Sequence, residues 1–337
     1  IGDVILATPV VRSIRRHWPE ARISFLTRES FSPLLANNPH LDEVAALPDT
    51  AGPGGLIQLV KNLRHSNWDL LIDLHNNLRS RVIRSLVPAD KTIVYTRQAL
   101  KRSLLIYGRM DFFGKGIAAV PERYARPLAG MGVELDEQPC ELYPSERDRS
   151  QAMEQLRAGG PAGNRFLAIA PGSAWPTKRW PPALFAAAAR ELSHRYGFRI
   201  VLLGSAGDLE ACRAVEDELG GPGNCLILAG RLGLMNSVAV VEQSSLMITN
   251  DTGLMHAATA VGTPVVAIFG CTTKHLGYFP YRAEDRSRVV EVDKGLWCRP
   301  CTKNGRKRCP LGHWRCMRDI GPGRVVEAAG EIFGRGI

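Results

Sequence analysis

A chain of 337 residues with 45% hydrophobic side chains has material for two cores, so two domains are expected rather than one. It contains no apolar run of the roughly eighteen residues that a spanning helix needs, which argues against a membrane-embedded protein. The formal charge of +10 is concentrated: Lys61 to Arg126 holds thirteen Lys/Arg against five Asp/Glu, and Lys294 to Arg324 holds nine against one. Such patches suit nucleic acid, anionic lipid headgroups or a phosphorylated or acidic substrate, with a solvated basic face as the alternative.

No signal peptide is visible, and the opening Ile1-Gly2-Asp3 has no Met. The start therefore reads as a loop that follows a strand, leading into a helix. Thr8 and Pro9 suit its cap and first turn, with Val11, Ile14 and Trp18 on one face. Asp3 would then stand at a carboxyl edge of a sheet. Strands are predicted at Arg22 to Leu26, Leu70 to Leu74 and Thr92 to Tyr95, alternating with helices near Gly55 to Arg64, Leu78 to Leu86 and Gln98 to Arg109. That alternation indicates a parallel, doubly wound sheet.

Pro139, Pro144, Gly159, Gly160, Pro161 and Gly163 punctuate a polar stretch, and a boundary near residue 155 divides the chain into domains of 1–155 and 156–337. The alternation then restarts. Strands are predicted at Phe166 to Ala170, Arg199 to Leu203 and Cys225 to Leu228, and helices at Pro182 to Tyr196, Asp208 to Leu219 and Met235 to Gln243. A compact βαβ unit follows, with strands at Leu246 to Thr249 and Pro264 to Phe269. A final helix from Arg324 to Phe333 could pack on either half.

Two loops of the second half leave a strand and enter a helix. In Asn250-Asp251-Thr252-Gly253, Asp251 or Thr252 can cap the helix and Gly262 can end it, so free amides and the helix dipole would face an anion, most economically a phosphate. An ordinary capped turn is the alternative. In Ala170 to Pro181, Gly172 permits close backbone approach, Ser173 offers a hydroxyl and Lys178 a compact cation. Neither the P-loop spacing nor the Gly-x-Gly-x-x-Gly dinucleotide fingerprint occurs.

Gly2-Asp3 before a Thr-Pro-led helix, Pro171-Gly172-Ser173 with Lys178-Arg179-Trp180-Pro181, and Asn250-Asp251-Thr252-Gly253 with His256 and Gly262-Thr263-Pro264 resemble glycosyltransferase family nine, the ADP-heptose:lipopolysaccharide heptosyltransferases. Cys298-Arg299-Pro300-Cys301 with Pro310 to His313 is more similar to the heptosyltransferase II branch. The resemblance implies an α/β GT-B fold of two Rossmann-like domains facing a cleft, the first holding the acceptor and the second the nucleotide sugar. It implies inverting transfer of heptose from ADP-heptose to the Kdo- or heptose-bearing inner core on lipid A.

Its implied roles are Asp3 as the base and Lys178 at the departing diphosphate. On the donor side it adds Ser173, Asp208, Met235, Asp251, Thr252, Gly253 and His256. Met235 would lie against adenine, with core filling as the alternative, and Asp208 near the ribose. No Asp-x-Asp pair offers ligands for a metal-dependent diphosphate site, so no cofactor is required. Asp73, His75, Asn76, Arg79 and Arg81 follow a strand end in the first half, and the arginines suit an acidic acceptor.

Cys298, Cys301, Cys309 and Cys316, within a Cys-rich segment at 297–317 and with His313 nearby, offer a possible four-thiolate zinc site. Cys212, Cys225 and Cys271 sit in core-like surroundings. The basic Cys-rich segment also admits a nucleic-acid-binding protein with a metal module, though no such fold signature accompanies it and no nucleic acid is expected. A GT-B sugar-nucleotide epimerase is a second alternative. A cytoplasmic protein, peripheral on the anionic inner membrane surface, is expected.

Overall fold

The computed structural model describes residues 1–110, 112–113, 118–159, 165–292 and 295–334. The chain divides into two compact units, one built from Ile1, Asp3–Ala99 and Ala118–Tyr143 and the other from Gly2, Leu100–Ile117 and Pro144–Ile337.

The first unit opens with helices α1 (Gly2–Ile5) and α2 (Thr8–His17). Thr8 is not the cap. Ala7 occupies that position without a side-chain bond, while the Thr8 hydroxyl donates to Ile5 O (2.8 Å) and accepts from the Glu141 amide (3.1 Å). Because α1 runs almost directly into α2, Thr8 is already helical and its hydroxyl is free to tie down a distant strand of chain.

Strands β1 (Ser24–Arg28) and β2 (Glu43–Leu47) pair in parallel, as do β3 (Leu70–Asp73) and β4 (Lys91–Val94). Helix α3 (Pro53–Leu63) follows β2, α4 (Leu78–Leu86) connects β3 to β4, and α5 (Ala99–Ser103) and α6 (Val120–Ala125) come after β4. Among the described residues these strands form two separate pairs, not the single sheet expected. Leu47, Leu59, Val60, Ile83 and Val87 make a small core beneath them.

The second unit holds α7 (Glu146–Ala158), β5 (Phe166–Ala170), α8 (Pro182–Tyr196), β6 (Arg199–Leu202), α9 (Leu209–Glu218), β7 (Leu226–Ile227), α10 (Leu234–Gln243), β8 (Leu246–Asn250), α11 (Gly253–Ala260), β9 (Val265–Phe269), β10 (Ser287–Glu291), α12 (Arg315–Arg318) and α13 (Pro322–Phe333). Its six strands form one parallel sheet in the order β10-β9-β8-β5-β6-β7. Strands β5, β8 and β9 are buried along their whole length, as the unbroken apolar runs of β5 and β9 and the Leu246-Met247-Ile248 start of β8 require of a sheet covered on both faces.

Helix α13 packs on α8 and β10 and places Val325, Val326, Ala329 and Ile332 in the core, so it belongs to this unit. The division falls between Tyr143 and Pro144 rather than at residue 155. The reason is that α7 docks on α10: the Arg149 guanidinium forks onto Glu242 (2.8 and 2.9 Å), and Asn236 donates to Gln151 (2.8 Å). Gly160, Pro161 and Gly163 of the expected linker, and Lys294 of the second basic patch, lie outside the described residues.

Candidate active site

From β5 the chain winds outward through β6 and β7, then crosses back to β8 on the other side of β5. The winding therefore reverses between β5 and β8. In a parallel sheet the loops at the carboxyl ends on either side of such a reversal part and leave a crevice, where ligands bind. The two loops there are those beginning at Pro171 and at Asp251.

Asn250, fully buried at the end of β8, holds the two loops together. Its amide nitrogen donates to Pro171 O (2.9 Å) and Gly172 O (3.4 Å), and its oxygen accepts from the Trp180 amide (3.0 Å). Trp180, also buried, is pinned by its indole N–H to Ile320 O (3.0 Å). Between these anchors Pro176–Lys178 makes one 3-10 turn that carries the Lys178 ammonium to 2.6 Å from Asp251 Oδ2. Both charges are nearly buried, at 12% and 7% side-chain exposure.

Asp251 was expected to touch the donor. Instead its carboxylate is occupied by Lys178 and by the Thr272 hydroxyl (2.8 Å), because a buried anion requires such partners. Thr252 is the cap residue of α11 but makes no side-chain capping bond; its hydroxyl lies 3.2 Å from that of Thr249. Gly253 begins the helix, and Gly262 follows its end with φ +79°, as expected of a stop. His256 is buried on α11.

Ser173 is buried, accepts from the Trp175 amide (3.3 Å), and has its carbonyl held by Arg179 Nε (2.9 Å). Asp208 closes a capping box on Ser205, whose amide and hydroxyl both donate to Oδ2 (2.9 and 2.7 Å). Its other oxygen is turned to Gly172, where an added Cβ would lie 2.1 Å away. Glycine is obligatory there for space. Met235 is buried in the first turn of α10.

In the first unit Asp3 is exposed, with the Tyr124 hydroxyl 3.5 Å from Oδ1. The five residues expected to meet an acceptor are together at the end of β3 and the start of α4, where Asp73 is committed to its own loop. Buried, it accepts from the amides of His75 (3.0 Å) and Asn76 (2.6 Å), the Ser80 hydroxyl (3.0 Å) and Arg84 (3.1 Å). It is the organiser of a loop in which Asn76 takes a left-handed φ of 46° and bonds Tyr95 O (3.0 Å) and Arg81 Nε (3.0 Å). Arg79, Arg81 and His75 keep exposed surface.

Cys298, Cys301, Cys309 and Cys316, the four thiols expected at a zinc site, line a cavity of about 200 Å³ together with Cys271 and His313. Among the described residues no three His, Cys, Asp or Glu side chains form a group that could hold a metal ion. Cys298 Sγ lies 3.7 Å from His313 Nε2, and Cys301 pairs with Cys271. The hydrogen bond from Cys271, with Arg306 and Arg109 nearby, outweighs burial and lowers the Cys301 thiol to about 7, whereas burial pushes Cys316 up to about 12.

This segment also braces the site, which sequence reasoning missed. Thr177, next to Lys178, exchanges bonds with Arg306: its hydroxyl donates to Arg306 O (2.9 Å) and accepts from the Arg306 amide (2.7 Å). The only signal was basic character, which says nothing about contact.

Residues 56–314 match the model of glycosyltransferase family 9 (heptosyltransferase). Lipopolysaccharide heptosyltransferase 2 of Escherichia coli (strain K12) is 27% identical over 351 residues, covering 99% of this chain and 96% of that protein. Two solved structures share the fold. The glycosyl transferase family 9 protein from Veillonella parvula DSM 2008 matches with a TM-score of 0.82 at 24% identity, covering 100% of this chain and 95% of that one. The E. coli ADP-heptose lps heptosyltransferase II matches with a TM-score of 0.73 at 23% identity, covering 100% and 97%.

Proposed function

Because this chain belongs to glycosyltransferase family 9, the heptosyltransferases, we propose that it transfers heptose from ADP-heptose to the inner core of lipopolysaccharide. The fold is α/β of the GT-B class and the activity that of a glycosyltransferase. The observation that carries the donor reading is the meeting of Lys178, Ser173 and the start of α11 at the point where the winding of the sheet reverses.

In this reading the diphosphate lies against the Thr252 and Gly253 amides and draws Lys178 from its pair with Asp251. Those donors stabilise the charge that grows on the leaving oxygen. Asp208 Oδ1 is suited to the ribose and Met235 to the adenine. The acceptor hydroxyl attacks the anomeric carbon as the bond to the ADP oxygen breaks, and inversion follows from attack on the opposite face. The proton passes to Asp3, whose exposed carboxylate supports the role of base. Arg79, Arg81 and His75 suit the acidic groups of a Kdo- or heptose-bearing acceptor.

Among the described residues no helix is long and apolar enough to cross a membrane. With the two basic stretches, this supports a peripheral protein at an anionic membrane surface, on the cytoplasmic side. Incubation with ADP-heptose and truncated lipopolysaccharide acceptors, read as product mass and ADP release, tests the proposal. Acceptor mass rising by one heptose is expected. Donor turnover without any acceptor would overturn it in favour of epimerisation.

A further inference from the structure

Ten large hydrophobic side chains are exposed among the described residues, and six of them lie in the second unit: Tyr107 and Trp297 (73% each), Leu100 (72%), Phe112 (52%), Leu311 (48%) and Met110 (47%). Tyr107, Trp297 and Leu311 border the thiol-lined cavity, together with Arg109, whose guanidinium sits 5.8 Å over the Trp297 ring. Met110 and Phe112 follow Arg109 along the chain. Exposed Lys307 and Arg308 stand between Arg306 and Cys309, which border the same cavity.

Single exposed apolar residues are ordinary, but an aromatic and aliphatic cluster ringed by cations is not. From this we infer that the surface formed by Tyr107, Trp297 and Leu311 around the cavity, with exposed Met110 and Phe112 next along the chain, docks onto an anionic lipid bilayer. Tryptophan and tyrosine settle at headgroup depth, where the ring is apolar and the polar edge stays wet, while Arg and Lys reach lipid phosphates. A second copy is the poorer occupant. A symmetric contact would bring like basic surfaces face to face, because residues 294–324 carry nine Lys/Arg against one Asp/Glu. The inference deepens the peripheral-membrane part of the proposed function and rests on it.

The test uses the full chain and vesicles of phosphatidylcholine alone or mixed in equal parts with phosphatidylglycerol. The unaltered protein should float with the anionic vesicles only, and less so as salt rises. Tyr107→Ser/Trp297→Ser and Lys307→Glu/Arg308→Glu should each reduce the bound fraction roughly tenfold or more while leaving ADP affinity unchanged. Vesicles with brominated acyl chains should quench the tryptophan fluorescence of the unaltered protein and leave that of Trp297→Phe largely unchanged. Flotation of the variants equal to that of the parent, or no flotation of the parent, overturns the inference. A changed sedimentation coefficient in the variants with unchanged flotation assigns the surface to self-association and also overturns it. Transfer to a deacylated, water-soluble acceptor reports on the transferase reading separately, since that acceptor needs no membrane.

Discussion

Lys178 shows how a partner changes the meaning of a side chain. Read as a loop cation, it should be removable without harm to the fold; paired at 2.6 Å with a nearly buried Asp251, it should not. Lys178→Ala leaves that carboxylate desolvated and unpaired, a loss of roughly 3–5 kcal/mol. It should melt well below the parent, and Lys178→Ala/Asp251→Asn should regain much of the stability, read by calorimetric melting, without regaining ADP affinity. Recovery of both would remove Lys178 from the donor site. Asp3 makes the opposite case, since it is exposed and its exchange for Asn costs little structure. Asp3→Asn should slow the chemical step roughly 100-fold with ADP binding and melting unchanged, as single-turnover kinetics would register. Near-normal turnover would point to a different base. Asp73, the buried carboxylate at the end of β3, is spent on its own loop.

At the scale of elements, the loops after β5 and β8 are positioned less by their own turns than by one side chain. Asn250 satisfies groups on both sides of the crevice, so Asn250→Ala leaves the buried Trp180 amide and Pro171 carbonyl unpaired at roughly 1–3 kcal/mol for each. The variant should melt lower and bind ADP more weakly, because Lys178 and Ser173 lose their placement together. Full ADP affinity in titration calorimetry would show that the loops hold themselves. The βαβ unit around Asn250 was legible beforehand from its two apolar strand runs and Gly262. Strand β2 was not, since Glu43-Val44-Ala45-Ala46-Leu47 carries little β-branched character and owes its state to pairing with β1. Strand β10 likewise follows from its place beside β9 at the sheet edge.

For the molecule as a whole, acid stability should be limited by the first unit. There the Arg12 guanidinium, nearly buried on α2, forks onto Asp136 (2.7 Å twice), reaches Glu141 and bonds Pro139 O (3.0 Å), so one side chain fastens the end of the unit to its beginning. Burial alone would raise the Asp136 carboxyl, but the hydrogen bond and charge of Arg12, then the Gln138 amide and Arg16, hold it below its ordinary value. A depressed carboxyl contributes stability above the unfolded value of about 3.9, and that contribution is lost as pH falls through the lower folded value. Melting followed against pH should therefore show an acid loss below about pH 4. Arg12→Met should melt lower near neutral pH and lose less on acidification, because the Asp136 carboxyl is then no longer held down, so its profile should converge on that of the parent below about pH 4; an unchanged profile would mean that the fork contributes nothing. By itself the sequence determined the alternation of strands and helices, the positions of most of the second unit's strands and helices to within a few residues, and the motifs that carry the family resemblance. These rest on short-range pattern, apolar period and turn chemistry, which any stretch displays locally. Only the tertiary structure decided that Lys178 pairs with Asp251, that Asp73 is consumed by its loop, that the thiols line a cavity, and that Thr177 is braced by Arg306. Each of these depends on which distant side chain arrives at hydrogen-bond range in a buried place, where a polar group must find a partner, and no local pattern encodes the identity of that partner.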